Sequence, residues 1–207
     1  MVVNLRFLSL LKLTIMQSYK KLFTFWFSVI IYDLTVDFTS QNIKSYKLKE
    51  QIDGAARSGK QNIVEGSIDM QTSLKIAIKL TSISKGSIEE LIGDLEDFLR
   101  QRGLKQYTKN DKGVLKWRAM SASLVRKLAS SYQDEALVRN LSNLRNLKKQ
   151  FQPKNIEEEV NLLLTLCHQE SFLLDRQIKS LEEKHLKEGG YTEKLYQRRR
   201  DYLQNLK

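Results

Sequence analysis

Proline is almost absent from this chain, since Pro153 is the only one among 207 residues. Sandwiches and barrels need a turn about every 8–12 residues, and prolines and glycines usually mark those turns. Apolar residues instead recur every three or four positions over most of the sequence, which is the helical period, and no segment alternates convincingly like a strand. We therefore predict an all-α fold, specifically an antiparallel up-and-down four-helix bundle with additional C-terminal helices.

The periodicity predicts helices over residues 19–42, 46–66, 74–102, 114–149, 156–187 and 191–206, with a break near 133–134 in the fourth. Ser73, Gly103 and the Gly189-Gly190 pair are typical of helix ends. We divide the chain into a leader (residues 1–18), a helical bundle that includes the basic fourth region (19–149), and a C-terminal helix followed by a short basic suffix helix (150–207).

Small residues predict close contacts between helices. Ala55, Ala56 and Gly59 share one face of the second helix, and Gly86 and Gly93 lie seven residues apart on the third. Each helical glycine costs about 1 kcal/mol relative to alanine, so we expect Gly86 and Gly93 to lie against a neighbouring helix. The segment from Asn62 to Gly66 is predicted to end the second helix, with Gly66 at positive φ.

The net charge of +11 is concentrated in one quarter of the chain. Residues 104–155 carry 12 basic and 3 acidic side chains, a net of +9. A field of one sign attracts polyanions, so this segment favours nucleic-acid binding. A solvated basic face with no ligand is the alternative interpretation.

The usual catalytic residue patterns are missing. Cys167 is the only cysteine, and His168 and His185 show no metal-ligand spacing. The segment from Gly54 to Lys60 matches a phosphate-binding loop, but Gln61 stands where Ser or Thr should hold magnesium, and the context is helical. We predict a protein that is not an enzyme, with no cofactor and no metal site; Cys167 is expected in the core, and the carboxylates from Glu89 to Asp97 are expected on a solvated face.

The first 16 residues are apolar but interrupted by Arg6 and Lys12, and the uninterrupted run is far shorter than the roughly 20 residues of a membrane span. They also lack the pattern of a signal peptide. We expect a leader outside the fold, with Met16 as a candidate start, a cytoplasmic protein, and no membrane partner.

Two motifs resemble a known family. The first has the form R-small-small-x-x-N-I-x-E-G, and the second is a helical small-S-x-x-E-L pattern. The residues that carry them are Arg57, Ser58, Gly59, Asn62, Ile63, Glu65 and Gly66, and then Ser87, Glu90 and Leu91. They resemble the small four-helix-bundle proteins encoded in intervening sequences of 23S ribosomal RNA genes. They are also similar to the accessory variability proteins of diversity-generating retroelements. Residues 189–200 resemble the suffix of the longer members.

The resemblance implies a non-enzymatic bundle with nucleic acid as its partner, a reverse transcriptase as a possible protein partner, and a homo-oligomer, with a pentamer as first choice. The apolar side chains of residues 23–31 also favour an oligomer, because they cover more than one helix face. The longer basic region after Leu104 departs from the short members of the family.

The sequence thus predicts a helical protein that binds RNA or DNA through basic side chains, with little sequence preference. The candidate residues are Arg57, Lys60, Lys105, Lys109, Lys112, Lys116, Arg118, Arg126, Lys127, Arg145, Lys148, Lys149, Arg198, Arg199 and Arg200. Trp117 either stacks on bases or packs in the core. Two other functions stay open: a protein–protein adaptor or oligomeric scaffold, and, ranked last, a membrane-surface protein.

Overall fold

A computed structural model describes residues 18–70 and 72–205, and these residues form helices and turns without a β-strand. The predicted all-α class is confirmed for this part of the chain. The predicted leader, with its candidate start at Met16, lies outside the described residues except for Ser18. A short 3₁₀ turn, Ser18–Lys21, precedes the α-helices. Their bounds are α1 Phe23–Asn42, α2 Tyr46–Asp69, α3 Leu74–Gln101, α4 Lys112–Ser130, α5 Glu135–Leu141, α6 Leu144–Phe151, α7 Ile156–Glu188 and α8 Tyr191–Gln204.

Local chemistry fixes most helix ends. The Ser73 hydroxyl accepts a hydrogen bond from the Ile76 backbone N–H at 3.3 Å, and so caps α3. Gly103 follows α3 with φ of +64°, and Gly189 follows α7 with φ of +69°. These predicted ends are confirmed. The predicted fourth region is divided into α4, α5 and α6, with the expected break at 131–134 and a second break at 142–143.

One hydrophobic core runs through most of the helices and includes residues from Trp26 in α1 to Leu174 in α7. Helix α1 packs against α2, α4 and α7, and α3 packs against α2 and α7. Helix α7 lies beyond the predicted boundary at residue 150, but its residues 160–174 belong to this core. Among the described residues, no helix is long and apolar enough to cross a membrane.

Side-chain contacts give the register of neighbouring helices. Thr39 of α1 donates to Asp53 of α2 at 2.6 Å, while the Lys60 ammonium of α2 lies 3.8 Å from the centre of the Tyr32 ring. Three further helix pairs have similar contacts. They are Ser58 with Ser87 and Gly66 with Leu80 (α2 and α3), Glu89 with Ser171 and Lys85 with Asp175 (α3 and α7), and Thr24 with Gln177 (α1 and α7).

The predicted small-residue face of α2 packs closely against α3. A Cβ on Gly59 would lie 3.0 Å from the Ile88 side chain, and one on Gly66 would lie 3.3 Å from the Leu80 Cβ. The Ser84 hydroxyl donates to the Gly59 carbonyl oxygen at 2.8 Å. Glycine at these two positions therefore allows the α2 and α3 backbones to approach each other.

Two predictions about helical glycines are wrong. Helix α2 does not end at Gly66 but continues to Asp69, because Gly66 is buried against α3 and keeps its helical hydrogen bonding. The Asn62 side-chain amide donates to the Ser58 carbonyl oxygen at 2.8 Å, within the helix, and makes no turn. Gly86 and Gly93 have no atom within 4 Å of an added Cβ, so they make no close helix contact.

The apolar residues of α1 are largely covered within one chain. Trp26, Phe27, Ile30 and Ile31 are buried, and Phe25 and Val29 are half-buried. Only Phe23 of this set is exposed. The sequence-based argument for an oligomer therefore loses most of its support, since this helix face is already packed against α2, α4 and α7.

Candidate nucleic-acid interface

Helix α4 has one apolar face and one basic face. Its buried residues, which include Trp117, Leu124, Val125 and Leu128, recur at helical spacing and contact the core. The Trp117 indole N–H donates to the Phe151 carbonyl oxygen at 3.1 Å, and only 4% of the residue is exposed. Of the two predicted roles for Trp117, the structure supports core packing.

The exposed side of α4 and the preceding loop carries a group of cations that we call the basic surface. All of them are exposed, and none forms an ion pair with another residue of the described chain. The basic surface consists of Lys105, Lys109, Lys112, Lys116, Arg118, Arg126 and Lys127. Seven of the fifteen predicted site residues therefore lie on one continuous stretch of chain.

The loop before α4 is held on α7 by the Asn161 side chain. The Asn161 amide group donates to the Lys105 carbonyl oxygen at 2.8 Å, and its oxygen accepts from the Tyr107 N–H at 2.7 Å. The Tyr107 ring is parallel to that of Trp117, with 6.4 Å between centroids. Burial, followed by Glu157, raises the pKa of the Tyr107 hydroxyl above its ordinary value. The loop is thus fixed at both ends of the Lys105–Tyr107 segment.

Asp111 is an acidic residue beside the basic surface, but its carboxylate is already engaged. It accepts hydrogen bonds from the Thr108 N–H at 2.5 Å and from the Thr108 hydroxyl at 2.9 Å. These bonds, the backbone one first, hold the pKa of Asp111 below its ordinary value. Asp111 therefore shapes the turn before α4 and remains ionised at neutral pH.

A cavity of about 620 Å³ opens beside the basic surface, and we call it the α4–α7 cavity. It lies between the start of α1, loop residues 106–109, one side of α4 and residues 161–173 of α7. Its basic lining side chains are Lys109, Arg118 and Arg126, and His168 joins them from α7. None of the described residues that line it is acidic. The cavity is therefore an apolar space with cations around it.

Two phenylalanines on the cavity are unusually exposed. Phe172 is 60% exposed and Phe23 is 45% exposed, whereas most other aromatic residues of the core helices are buried. The Arg176 guanidinium lies 5.9 Å from the centre of the Phe172 ring. Sequence reasoning missed both phenylalanines as site residues, although Phe172 falls outside the apolar stripe of α7, and an outward-facing phenylalanine is itself a signal of a binding surface.

Other predicted site residues lie apart from this surface or are already paired. Lys60 is half-buried over Tyr32, and burial, partly offset by Asp33, lowers the pKa of its ammonium. Lys148 forms an ion pair with Asp37 at 2.5 Å. These contacts join α2 and α6 to α1, and the nucleic-acid role of the two lysines stays a prediction.

The remaining predicted cations are exposed but belong to other elements. Arg57 lies on α2, Arg145 and Lys149 lie on α6, and residues 198–200 lie on α8. No side chain of α8 whose position is described is buried, with Arg198, Arg199 and Arg200 all exposed. Neither α6 nor α8 contributes to the α4–α7 cavity, so these residues stay separate predictions.

The alternative chemical motifs have structural explanations. The segment from Gly54 to Lys60 lies inside α2, which confirms its predicted helical context. Cys167 is fully buried, as expected, while His168 is exposed. Burial raises the pKa of the Cys167 thiol well above its ordinary value, so it is not a reactive thiolate. Among the described residues, no group of His, Cys, Asp or Glu has the geometry of a metal site.

Glu170 is an unusual group in the core. It is fully buried in α7, and neither carboxyl oxygen has a hydrogen-bond partner in the described part of the chain. Burial raises the pKa of this carboxyl well above its ordinary value, which favours the neutral form of the side chain. It does not line the α4–α7 cavity.

No protein-family model, curated protein or solved structure matches this chain. The resemblance to the intervening-sequence and retroelement accessory proteins therefore stays a prediction.

Proposed function

We propose that this protein is a non-catalytic helical bundle that binds RNA or DNA through the basic surface. The observation that carries this proposal is the group of seven exposed cations on the loop and α4, none of them paired with a carboxylate of the described chain. Unpaired cations provide phosphate contacts without first breaking an ion pair.

We further propose an antiparallel up-and-down bundle of α1, α2, α3 and α7, with the other helices added outside it. The inter-helix contacts support this arrangement. Early residues of α1 pair with late residues of α7, as in Thr24 with Gln177. Likewise Gly66, late in α2, lies against Leu80, early in α3. Neighbouring helices of such a bundle run in opposite directions, as these pairs require.

Binding through phosphates has a defined salt signature. Each phosphate contact on duplex DNA contributes about 0.9 to the log–log salt slope, and each on a single strand contributes about 0.7. The cations lie on a loop as well as on helix α4, so we expect spread phosphate contacts and little reading of base sequence. Affinity should therefore fall steeply with salt and vary little between sequences.

The test is a charge reversal with a matched control. The test variant changes Lys105, Lys109, Lys112 and Lys116 to glutamate. The control variant changes four exposed lysines near the starts of α2 and α3, namely Lys44, Lys47, Lys75 and Lys79. Four reversals of two charges each take the net charge from +11 to +3 in both variants.

We expect the test variant to lose at least tenfold in affinity for a mixed RNA and DNA pool, and the control to lose much less. Circular dichroism should show both variants folded, because all eight side chains are exposed. Equal losses in the two variants would mean that only the net charge matters. Wild-type binding by a folded test variant would contradict the proposal.

A second candidate function is a protein adaptor or oligomeric scaffold, and helix α8 favours it. This helix exposes Tyr191, Leu195, Tyr196 and Leu203, which gives an apolar surface with no partner in the described chain. Such patches mark interaction sites. A homo-oligomer, with a pentamer as first choice, and a reverse transcriptase partner are the arrangements that the family resemblance suggests. Light scattering that gives a concentration-independent mass near 24.2 kDa would exclude the oligomer.

A further inference from the structure

The α4–α7 cavity has the dimensions of a ligand pocket. Its volume of about 620 Å³ falls within the range of roughly 300–1,000 Å³ that is usual for small-molecule sites. Buried apolar side chains from three helices, including Phe27, Val125 and Leu164, line it. A space of this size and apolar character accepts a flat aromatic group.

The polar groups inside the cavity are already satisfied by the protein. The Asn161 side chain is bonded to the backbone of Lys105 and Tyr107. The Gln169 oxygen accepts from the Ser121 hydroxyl at 2.8 Å, and the Thr165 hydroxyl donates to the Asn161 carbonyl oxygen at 2.7 Å. These walls therefore offer apolar contact and few free groups for hydrogen bonding to a ligand.

The rim of the cavity has the opposite character. Lys109, Arg118 and Arg126 are exposed on it, and the described lining residues include no acid. An occupant that fits both features has an aromatic part for the interior and an anionic part for the rim. An unpaired nucleotide has this combination, because its base is a flat ring and its phosphates are negative.

We propose that the α4–α7 cavity takes an unpaired base of a single-stranded nucleic acid, with Phe172 as a stacking platform and the rim cations on the flanking phosphates. This inference rests on the proposed function and names its substrate class. Bases in a duplex are paired and stacked on each other, so they cannot enter the cavity. The cavity therefore selects unpaired over paired bases. Because the polar groups in its walls are already hydrogen-bonded to the protein, it distinguishes weakly between one base and another.

Replacement of Phe172 by alanine tests whether an unpaired base stacks on this side chain. It is 60% exposed, so its removal leaves the core intact. The matched control is Tyr46→Ala, which removes an aromatic residue that is 74% exposed at the start of α2, away from the cavity. Both variants keep every cation of the basic surface.

The experiment measures binding by fluorescence anisotropy with three labelled probes of equal length. These are a mixed-sequence single strand, the same strand annealed to its complement, and a single strand of abasic sites that keeps the phosphates but lacks the bases. Stacking of one base on an aromatic side chain corresponds to about 5- to 150-fold in affinity. We expect the wild type to prefer the single strand over the abasic strand by a factor in this range.

Phe172→Ala should lose most of this preference and keep its affinity for the duplex and the abasic strand, while Tyr46→Ala should behave as the wild type. If the wild type binds all three probes alike and Phe172→Ala changes nothing, the cavity inference is wrong and the proposed function stands. If the wild type binds none of them, both are wrong. In the same assay with homopolymer single strands, a preference of more than tenfold for one of them would contradict the weak reading of base identity.

Discussion

The α2–α3 interface and the α4–α7 region both form between helices, but the first is closely packed and the second contains a cavity. Between α2 and α3, glycines let the backbones approach until a Cβ on Gly66 would lie 3.3 Å from Leu80. Between α4 and α7, the side chains leave a cavity of about 620 Å³ with exposed phenylalanines and cations at its edge. Small residues thus allow close packing between α2 and α3, whereas space for a ligand remains between α4 and α7.

Two aromatic residues of the α4–α7 region show the largest expected difference in stability between a core residue and an exposed residue. Trp117 is buried and bonded to Phe151, whereas Phe172 is exposed. We expect Trp117→Ala to lower the free energy of unfolding by about 3–5 kcal/mol because it leaves a cavity in the core. Phe172→Ala should change it by less than about 0.5 kcal/mol. Urea unfolding of both variants measures this, and equal losses would contradict the assignment of Trp117 to the core.

The α2–α3 interface should resist any added side chain at Gly66. Gly66→Leu is expected to lower the free energy of unfolding by about 1–3 kcal/mol, because the leucine would overlap Leu80 and the Ala77 carbonyl. The matched control is Gly86→Ala on α3, where an added Cβ meets no atom within 4 Å. That change should raise stability by about 0.5–1 kcal/mol through helix propensity alone. Thermal unfolding that ranks the two variants in the reverse order would refute the close-packing account.

Glu170 is fully buried, unlike Phe172, and its carboxyl oxygens have no hydrogen-bond partner in the described part of the chain. Its carboxyl has a raised pKa in the folded protein, while in the unfolded chain it has the ordinary value of 4.5. Above about pH 4.5 the unfolded chain releases this proton and the folded protein keeps it, so folding loses up to about 1.4 kcal/mol per pH unit until the folded pKa is reached.

Glu170→Gln cannot titrate, so its stability relative to the wild type should increase as pH rises from 4.5 to 7. Urea unfolding of both proteins across this range measures the difference, with Glu90→Gln as an exposed control on α3. Stability curves that stay parallel for the wild type and Glu170→Gln would show that the carboxyl titrates normally.

Local sequence signals predicted most of the fold. Ser73 marked the start of α3 and Gly103 its end because capping depends only on neighbouring residues. The prediction for Gly66 was wrong because a glycine near a helix end can either end the helix or allow a close contact with a neighbouring helix. Only the position of Leu80 in the folded chain decides between these two roles. The fold class could therefore be predicted from the hydrophobic periodicity, whereas the structural role of each glycine depended on tertiary contacts.

The candidate site was only half predictable. The basic surface lies on consecutive residues, so its charge was visible in the sequence. The cavity was not visible in the sequence, because the residues that line it are distant in the chain, as are Phe23 of α1, Arg118 of α4 and Phe172 of α7. The contacts of Lys60 with Tyr32 and of Lys148 with Asp37 were not visible either, because only the folded chain brings these residues together.

The central claim is that the basic surface binds phosphates, and the salt dependence of binding tests it most directly. The affinity for one single-stranded probe is measured over a series of salt concentrations for the wild type and for a variant with Lys105, Lys109, Lys112 and Lys116 changed to glutamine. If all four lysines contact phosphates, the log–log slope of the variant should be shallower by about three, since each lost contact removes about 0.7. Identical slopes for the two folded proteins would contradict the account.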